Sequence, residues 1–266
     1  MKRNNIQEQY KETIRQLVNL GANSKDTLNE ALQLAAKGGY TDIVKFFIEK
    51  GADVTAENNM AMWLAAGYGH VEVVKVLLEN GADVAANNNA VICKATEEGH
   101  IEVVKMLLEN GADAAARDNY LIVKAVEICN KELVELLLEN GANLTSEHSY
   151  VLLANPVKCG NIGLVKLLIE HNAIETDCFS LILDAIDGGY VNIVKILIKY
   201  ADEETKKNKR LLEAAIENKN LEIIKVLLKN GADIDFLKKT DMKLALLCDP
   251  NILLKDIIKY LSSSLK

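Results

Sequence analysis

Residues 69–83, GHVEVVKVLLENGAD, return thirty positions later as residues 99–113, GHIEVVKMLLENGAD. Within the first copy Val73, Val74, Leu77 and Leu78 fall on one stripe of a 3.6-residue helix, while Glu72, Lys75 and Glu79 share the opposite face. The stretch is predicted to be an amphipathic helix. Asn80 and Gly81 end it, because glycine closes a helix in the left-handed conformation without a Cβ clash. Asp83 then begins the turn into the next unit.

The same ruler runs along most of the chain. Glycine recurs at Gly21, Gly51, Gly81, Gly111, Gly141 and Gly231. A second column reads Ala35, Ala65, Ala95, Ala125, Ala185, Ala215 and Ala245, broken by Asn155, with an apolar residue three positions before each member, from Leu32 and Met62 to Leu152 and Met242. Each unit is therefore helix, tight turn, helix, loop. A small residue at every period is what a first helix needs when matching helices approach it closely from both sides. No unit can bury its apolar face alone, so stability is a sum over units and their interfaces.

In chain order, residues 5–20 carry Ile14, Leu17 and Val18 and predict a half-repeat cap over residues 1–23. Seven repeats follow over 24–233, and residues 234–266, with Leu254, Ile257 and Ile258 on one stripe, form a C-terminal capping repeat. The whole chain, 1–266, is expected to be a single domain without a linker. Glu-Lys pairs at i,i+3, such as Glu72 with Lys75 and Glu102 with Lys105, are expected on a solvated outer face. One repeat is irregular. Asn155-Pro156 stands where Ala-Ala belongs, one extra residue precedes Asn161, and Asn172 takes the glycine place. A proline there predicts a kinked or broken first helix. A shortening at Tyr200-Ala201 is expected to restore the register, before the polar run DEETKKNKR of residues 202–210.

The two-helix unit, with Ala-Ala before Gly-His, a Val-Val and Leu-Leu pair, and then Gly-Ala-Asp, resembles the ankyrin repeat, most closely in LAAGYGH at residues 64–70. The resemblance implies an all-α, ankyrin-type α-solenoid of stacked helix-turn-helix repeats with short loops or abbreviated β-hairpins. The signature Thr-Pro-Leu-His is reduced to its leucine place. Ala61, Val91 or Leu121 stands for the proline, and Trp63, Cys93 or Val123 for the histidine. The period is thirty instead of the usual 33. The missing residues lie between Gly81 and Ala95, so Asn87–Asn89 and Asp118–Asn119 are expected to form short turns that cap the following helix. Repeats shortened in this way look like those of large DNA viruses and intracellular bacteria.

Composition narrows the function. Hydrophobic residues make up 49% of the chain but aromatic ones only 5%, as suits a core of Leu, Ile, Val and Ala layers. The net charge of −7, without a basic arm, argues against nucleic acid as a partner. Five cysteines without CxxC spacing read as reduced thiols and point to the cytoplasm, or to the host cytosol for a viral or bacterial protein. No apolar run approaches a membrane span. His70 and His100 occupy the Gly-His turn and are expected to stabilise it. No metal-ligand spacing, phosphate loop or nucleophile elbow appears. The chain is therefore expected to be a non-enzyme without cofactor or metal, a monomer that binds a protein partner. A structural spacer, or a pathogen effector adapting host proteins, is the alternative. In ankyrin stacks the first helices line the concave side. The residues that break the column pattern there, Trp63, Tyr68, Lys94, Tyr120, Lys124 and Tyr150, are the partner-binding candidates. Trp63 packing between repeats, and Tyr120 and Tyr150 capping helix starts, are the readings that compete with this role.

Overall fold

The structure, a computed structural model, describes residues 24–144, 149–171 and 178–233. The expected caps at 1–23 and 234–266, with Met242 and Ala245, lie outside the described residues. The described residues contain helices and turns but no strand, so the links between repeats that fall within them are short loops. Two compact units divide the chain, Met1–Asn143 and Leu144–Lys266.

The first unit contains α1 (Lys25–Lys37), α2 (Thr41–Glu49), α3 (Ala56–Gly67), α4 (Val71–Glu79), α5 (Ala86–Glu97), α6 (Ile101–Glu109), α7 (Ala116–Glu127) and α8 (Lys131–Glu139). First helices pack on first helices, α1 on α3, α3 on α5 and α5 on α7, while α2, α4, α6 and α8 form a second row. The sequence columns are the layers of the core: Ala35, Ala65, Ala95 and Ala125 are buried, as are Met62, Ile92 and Ile122 three places before. Val74, Val104 and Val134, with Leu77, Leu107 and Leu137, fill the space beneath the second row.

One member of these columns is out of keeping. Thr96 stands where the neighbouring repeats have Ala66 and Val126, is fully buried, and its hydroxyl has no hydrogen-bond partner. Burying a hydroxyl unpaired costs free energy that an apolar group of the same shape does not incur. Thr96→Val should therefore raise the unfolding free energy by about 1 kcal/mol in a urea titration; a loss of stability would show that the hydroxyl has a role in packing.

The Gly-His turn ties neighbouring repeats together. Gly39 and Gly69 take φ of +71° and +72°, and a Cβ there would meet the His70 or His100 imidazole at 2.6 or 2.7 Å. Each imidazole lies on the preceding turn, where His70 Nε2 donates to the Lys37 carbonyl at 2.9 Å and His100 Nε2 to the Gly67 carbonyl at 3.1 Å. The histidines thus stabilise the turn of the repeat before their own. Asn130, in the same place, instead caps its own helix by accepting from Leu133 N at 3.1 Å.

The expectation that the asparagine-rich turns cap the following helix is corrected. Asn89 and Asn119 reach forward by 24 residues: their Oδ1 atoms accept from Asp113 N at 3.1 Å and Asn143 N at 2.7 Å. Asn29 and Asn59 do the same for Asp53 N at 2.7 Å and Asp83 N at 2.8 Å. The start of each first helix is thereby stitched to the end of its second. Asn29 makes this bond from within the regular helix α1, whereas at the other three the backbone of Glu57–Asn59, Asn87–Asn89 and Arg117–Asn119 is left-handed, with φ between +50° and +64°. Asparagine tolerates that region better than other side-chain-bearing residues. Arg117 secures one such turn, donating through Nε to Asn88 O at 3.0 Å and through Nη2 to Asn87 O at 3.1 Å.

The second unit contains α9 (Ser149–Lys158), α10 (Ile162–Glu170), α11 (Phe179–Asp187), α12 (Val191–Leu197), α13 (Glu203–Lys207), α14 (Lys209–Glu217) and α15 (Leu221–Lys229). Its first helices α9, α11 and α14 pack in a row, and α10, α12 and α15 form another. The broken helix expected at Pro156 is not found, since α9 runs through it. Asn161 N donates to Pro156 O at 2.9 Å, as Asn130 N donates to Ala125 O at 3.0 Å. Pro156, not the exposed Asn155, therefore holds the alanine place, and Leu153, not Leu152, matches Ile122. The extra residue falls before α9, and by Ala185, whose carbonyl accepts from Tyr190 N at 2.8 Å, the thirty-residue stride has returned. Restoration thus precedes Tyr200-Ala201. The polar run supplies α13, capped by Asp202, and the Asn208 cap of α14. Of the expected i,i+3 pairs on second helices, Lys225 and Glu222 meet at 2.9 Å.

Candidate partner-binding surface

The exposed side of the first helices in the first unit is built from the positions that the stack leaves uncovered. In α3, Met62, Ala65 and Ala66 face the core. That turns Trp63 and Leu64 half outward and leaves Tyr68, just past the helix end, 53% exposed. Lys94 and Lys124 stand at the Leu64 place of α5 and α7, half-buried, and Tyr120 opens the right-handed part of α7. Five of the six candidates therefore lie on three consecutive first helices. Tyr150 falls in α9 of the second unit, and its side chain lies outside the described residues.

Lysines cover the aromatic rings. Lys94 Nζ of α5 sits 5.5 Å above the centre of the Trp63 ring in α3, a contact across the repeat boundary. Lys124 Nζ lies 5.4 Å above Tyr120, and Lys37 Nζ of α1 lies 5.7 Å above Tyr68. Tyr68 also stacks on His70, with centroids 6.3 Å apart and planes 11° from parallel. Such cation–π contacts are worth about 0.5–1 kcal/mol at exposed sites. Trp63 is thus neither exposed freely nor buried between repeats.

Carboxylates complete the surface. Lys94 Nζ meets Glu98 Oε1 at 2.5 Å and Glu97 Oε2 at 3.9 Å, and Lys124 Nζ meets Glu127 Oε2 at 2.6 Å. Glu97 joins two repeats, because Tyr120 OH donates to its Oε1 at 2.7 Å. Tyr120 is therefore held by the preceding repeat and does not cap a helix start. The Glu98 hydrogen bond pushes the Lys94 ammonium pKa up, and the same contact holds the Glu98 carboxyl below its ordinary value. Glu127 raises Lys124 in the same way, and the hydrogen bond to Glu97 raises the Tyr120 phenol. Each of these shifts moves its group's titration away from neutral pH, so Lys94, Lys124 and Glu98 hold fixed charges there.

Lys37, Glu97, Glu98 and Glu127 belong to this surface and were not among the candidates. For Lys37, Glu97 and Glu127 the signal was the last turn of each first helix, where residues 37, 67, 97 and 127 read Lys, Gly, Glu, Glu; Glu98 stands one column on, at the Tyr68 place. Gly67 leaves the room that Lys94 uses: a Cβ there would lie 2.9 Å from Lys94 Cγ. The surface is graded along the stack. Leu34, 70% exposed, with Met60, Trp63, Leu64 and Tyr68, makes an apolar end, and the charged groups gather around α5 and α7.

The nearby thiol of Cys93 is buried, and burial pushes its pKa up, the reverse of what activates a nucleophile. Among the described residues no cluster of three His, Cys, Asp or Glu side chains could hold a metal ion. None of the described helices is long and apolar enough to cross a membrane.

A family model described as ankyrin repeats (three copies) matches residues 5–88, 57–118 and 152–237, well over half of the chain. Comparison with curated proteins found no match.

Proposed function

The chain belongs to the ankyrin-repeat family, and from that premise we propose that it is a non-catalytic binding module that holds a partner protein against the first-helix face of α3, α5 and α7. Ankyrin repeats are in general protein–protein interaction modules. The observation that carries the reading is the row of half-exposed aromatic rings, Trp63, Tyr68 and Tyr120, each under a lysine that is itself on the surface. Rigid aromatic groups bury much area for little rotamer entropy, and they dominate binding hot spots. A partner that displaces a lysine from a ring gains that ring face and leaves the ammonium to its carboxylate or to a carboxylate of the partner.

The five scattered cysteines support a reducing compartment, the cytoplasm or a host cytosol. The charge of −7 argues against a nucleic-acid partner, and nothing in the reading calls for self-association. Proximity labelling in native cells tests the proposal. Proteins enriched by the wild-type chain should be lost with Trp63→Ala, and the purified pair should bind about tenfold more weakly or worse, while the variant still folds to the same helical content by circular dichroism. An identical set of partners for both chains, bound equally well, would rule out this face.

A further inference from the structure

The sequence contains four Asn-Gly pairs, Asn80-Gly81, Asn110-Gly111, Asn140-Gly141 and Asn230-Gly231, and all four occupy the same place, the end of a second helix. Asparagine followed by glycine is the pair most open to deamidation, because glycine puts no Cβ in the way of its own amide nitrogen. That nitrogen attacks the asparagine Cγ. The side-chain nitrogen leaves as ammonia and a five-membered succinimide forms, which water then opens to aspartate or to isoaspartate. The net change is asparagine plus water giving a carboxylate plus ammonium, the acid's proton passing to the released ammonia, and solvent is the only co-reactant.

In the folded repeat both reacting groups are engaged. Asn80 Nδ2, the leaving nitrogen, donates to Val76 O at 2.8 Å, and the attacking Gly81 N donates to Leu78 O at 3.0 Å. The other three pairs repeat the arrangement. Asn110 Nδ2 bonds Met106 O, Asn140 Nδ2 bonds Leu136 O and Asn230 Nδ2 bonds Val226 O, each at 2.8 Å. Their glycine nitrogens donate to Leu108, Leu138 and Leu228 at 3.0, 3.2 and 3.2 Å. The glycines are exposed, so water has access and the two hydrogen bonds are the barrier.

We propose that these four asparagines are deamidation sites gated by the helix cap, so that each pair converts only when its own repeat end opens. Conversion is then a one-way latch. The new carboxylate cannot donate to the carbonyl four residues back, and its charge opposes the negative end of the helix dipole. Isoaspartate in addition lengthens the backbone inside the cap. A repeat that has opened once and reacted closes less firmly, and the lesion records where a stack of nearest-neighbour interfaces frays.

The test follows each pair by peptide mass spectrometry, with enzymatic isoaspartate labelling, in the full chain at mildly alkaline pH. All four pairs should convert in concentrated urea and should convert about a hundredfold more slowly in native buffer. Urea below the unfolding midpoint should speed conversion progressively. Asn110→Lys copies the Lys50-Gly51 pair of an earlier repeat, where Lys50 N keeps its bonds to Phe46 O and Phe47 O at 3.1 Å. It should abolish the signal at that pair and leave the other three unchanged. Asn110→Asp, the product of the reaction, should melt at a lower temperature than the wild type. Equal rates in native buffer and in urea, no conversion in urea, or an Asn110→Asp chain as stable as the wild type would each overturn the proposal.

Discussion

Replacing Leu107 with alanine should lower the unfolding free energy by about 2–5 kcal/mol, the range for deleting three buried carbon atoms together with the cavity that remains. Leu107 is fully buried in α6, whose second-row neighbours α4 and α8 pack on either side. The cavity would lie between layers that cannot close over it without giving up their own contacts. Its carbonyl is also the anchor of the helix end, accepting from Ala112 N at 3.0 Å, so the side chain is lost from the point where helix and loop meet. Urea unfolding followed by circular dichroism reads the effect directly. A loss below about 0.5 kcal/mol, the level of ordinary surface substitutions, would mean that the thirty-residue column is not internal.

Pro156→Ala should act in the opposite direction and raise stability by about 1 kcal/mol. A proline inside a helix removes a backbone hydrogen bond and costs about 3 kcal/mol relative to alanine. Here it stands in a helix that continues through it, at the place the other first helices give to alanine. Alanine would restore the donor missing towards Leu152 O. Part of the gain is offset, because Pro156 is buried and its ring carbons, at about 0.8 kcal/mol for each methylene, leave a small void. Thermal unfolding of the full chain measures the balance, with the expected result a higher melting temperature. A lower one would mean that the ring's packing contributes more than the hydrogen bond.

Most of the layer structure was legible because equivalent places in a stack impose the same chemistry every period. Alanine at 35, 65, 95 and 125 and a β-branched or leucine pair beneath are readable without coordinates, and so was the inward turn of Met62, Ile92 and Ile122. The register of α9 was not. Val151, Leu152 and Leu153 are all apolar, so a shift by one residue leaves the stripe nearly as good. The bond from Asn161 N to Pro156 O, with Pro156 buried and Asn155 exposed, decides between the two registers.

The asparagine column was visible as letters, Asn29, Asn59, Asn89 and Asn119, but its role was not. A side chain that bonds a backbone amide 24 residues on depends on where the fold brings that loop, and no local propensity reports the contact. At the candidate surface the aromatic residues and lysines were legible as breaks in their columns. Their pairing was not, because Lys94 reaches Trp63 across a repeat boundary through the gap left by Gly67. Glu97 was missed for a related reason. A glutamate on a helix face normally reads as a solvated charge, and its bond to Tyr120 appears only when two repeats are side by side.

Hydrogen–deuterium exchange of the chain, alone and with a captured partner, tests the binding account most directly. Protection on binding should concentrate in residues 60–68, 90–98 and 120–128, the exposed ends of α3, α5 and α7, while the second helices exchange as before. Protection confined to α2, α4, α6 and α8, with the Trp63 and Tyr120 segments unchanged, would contradict it.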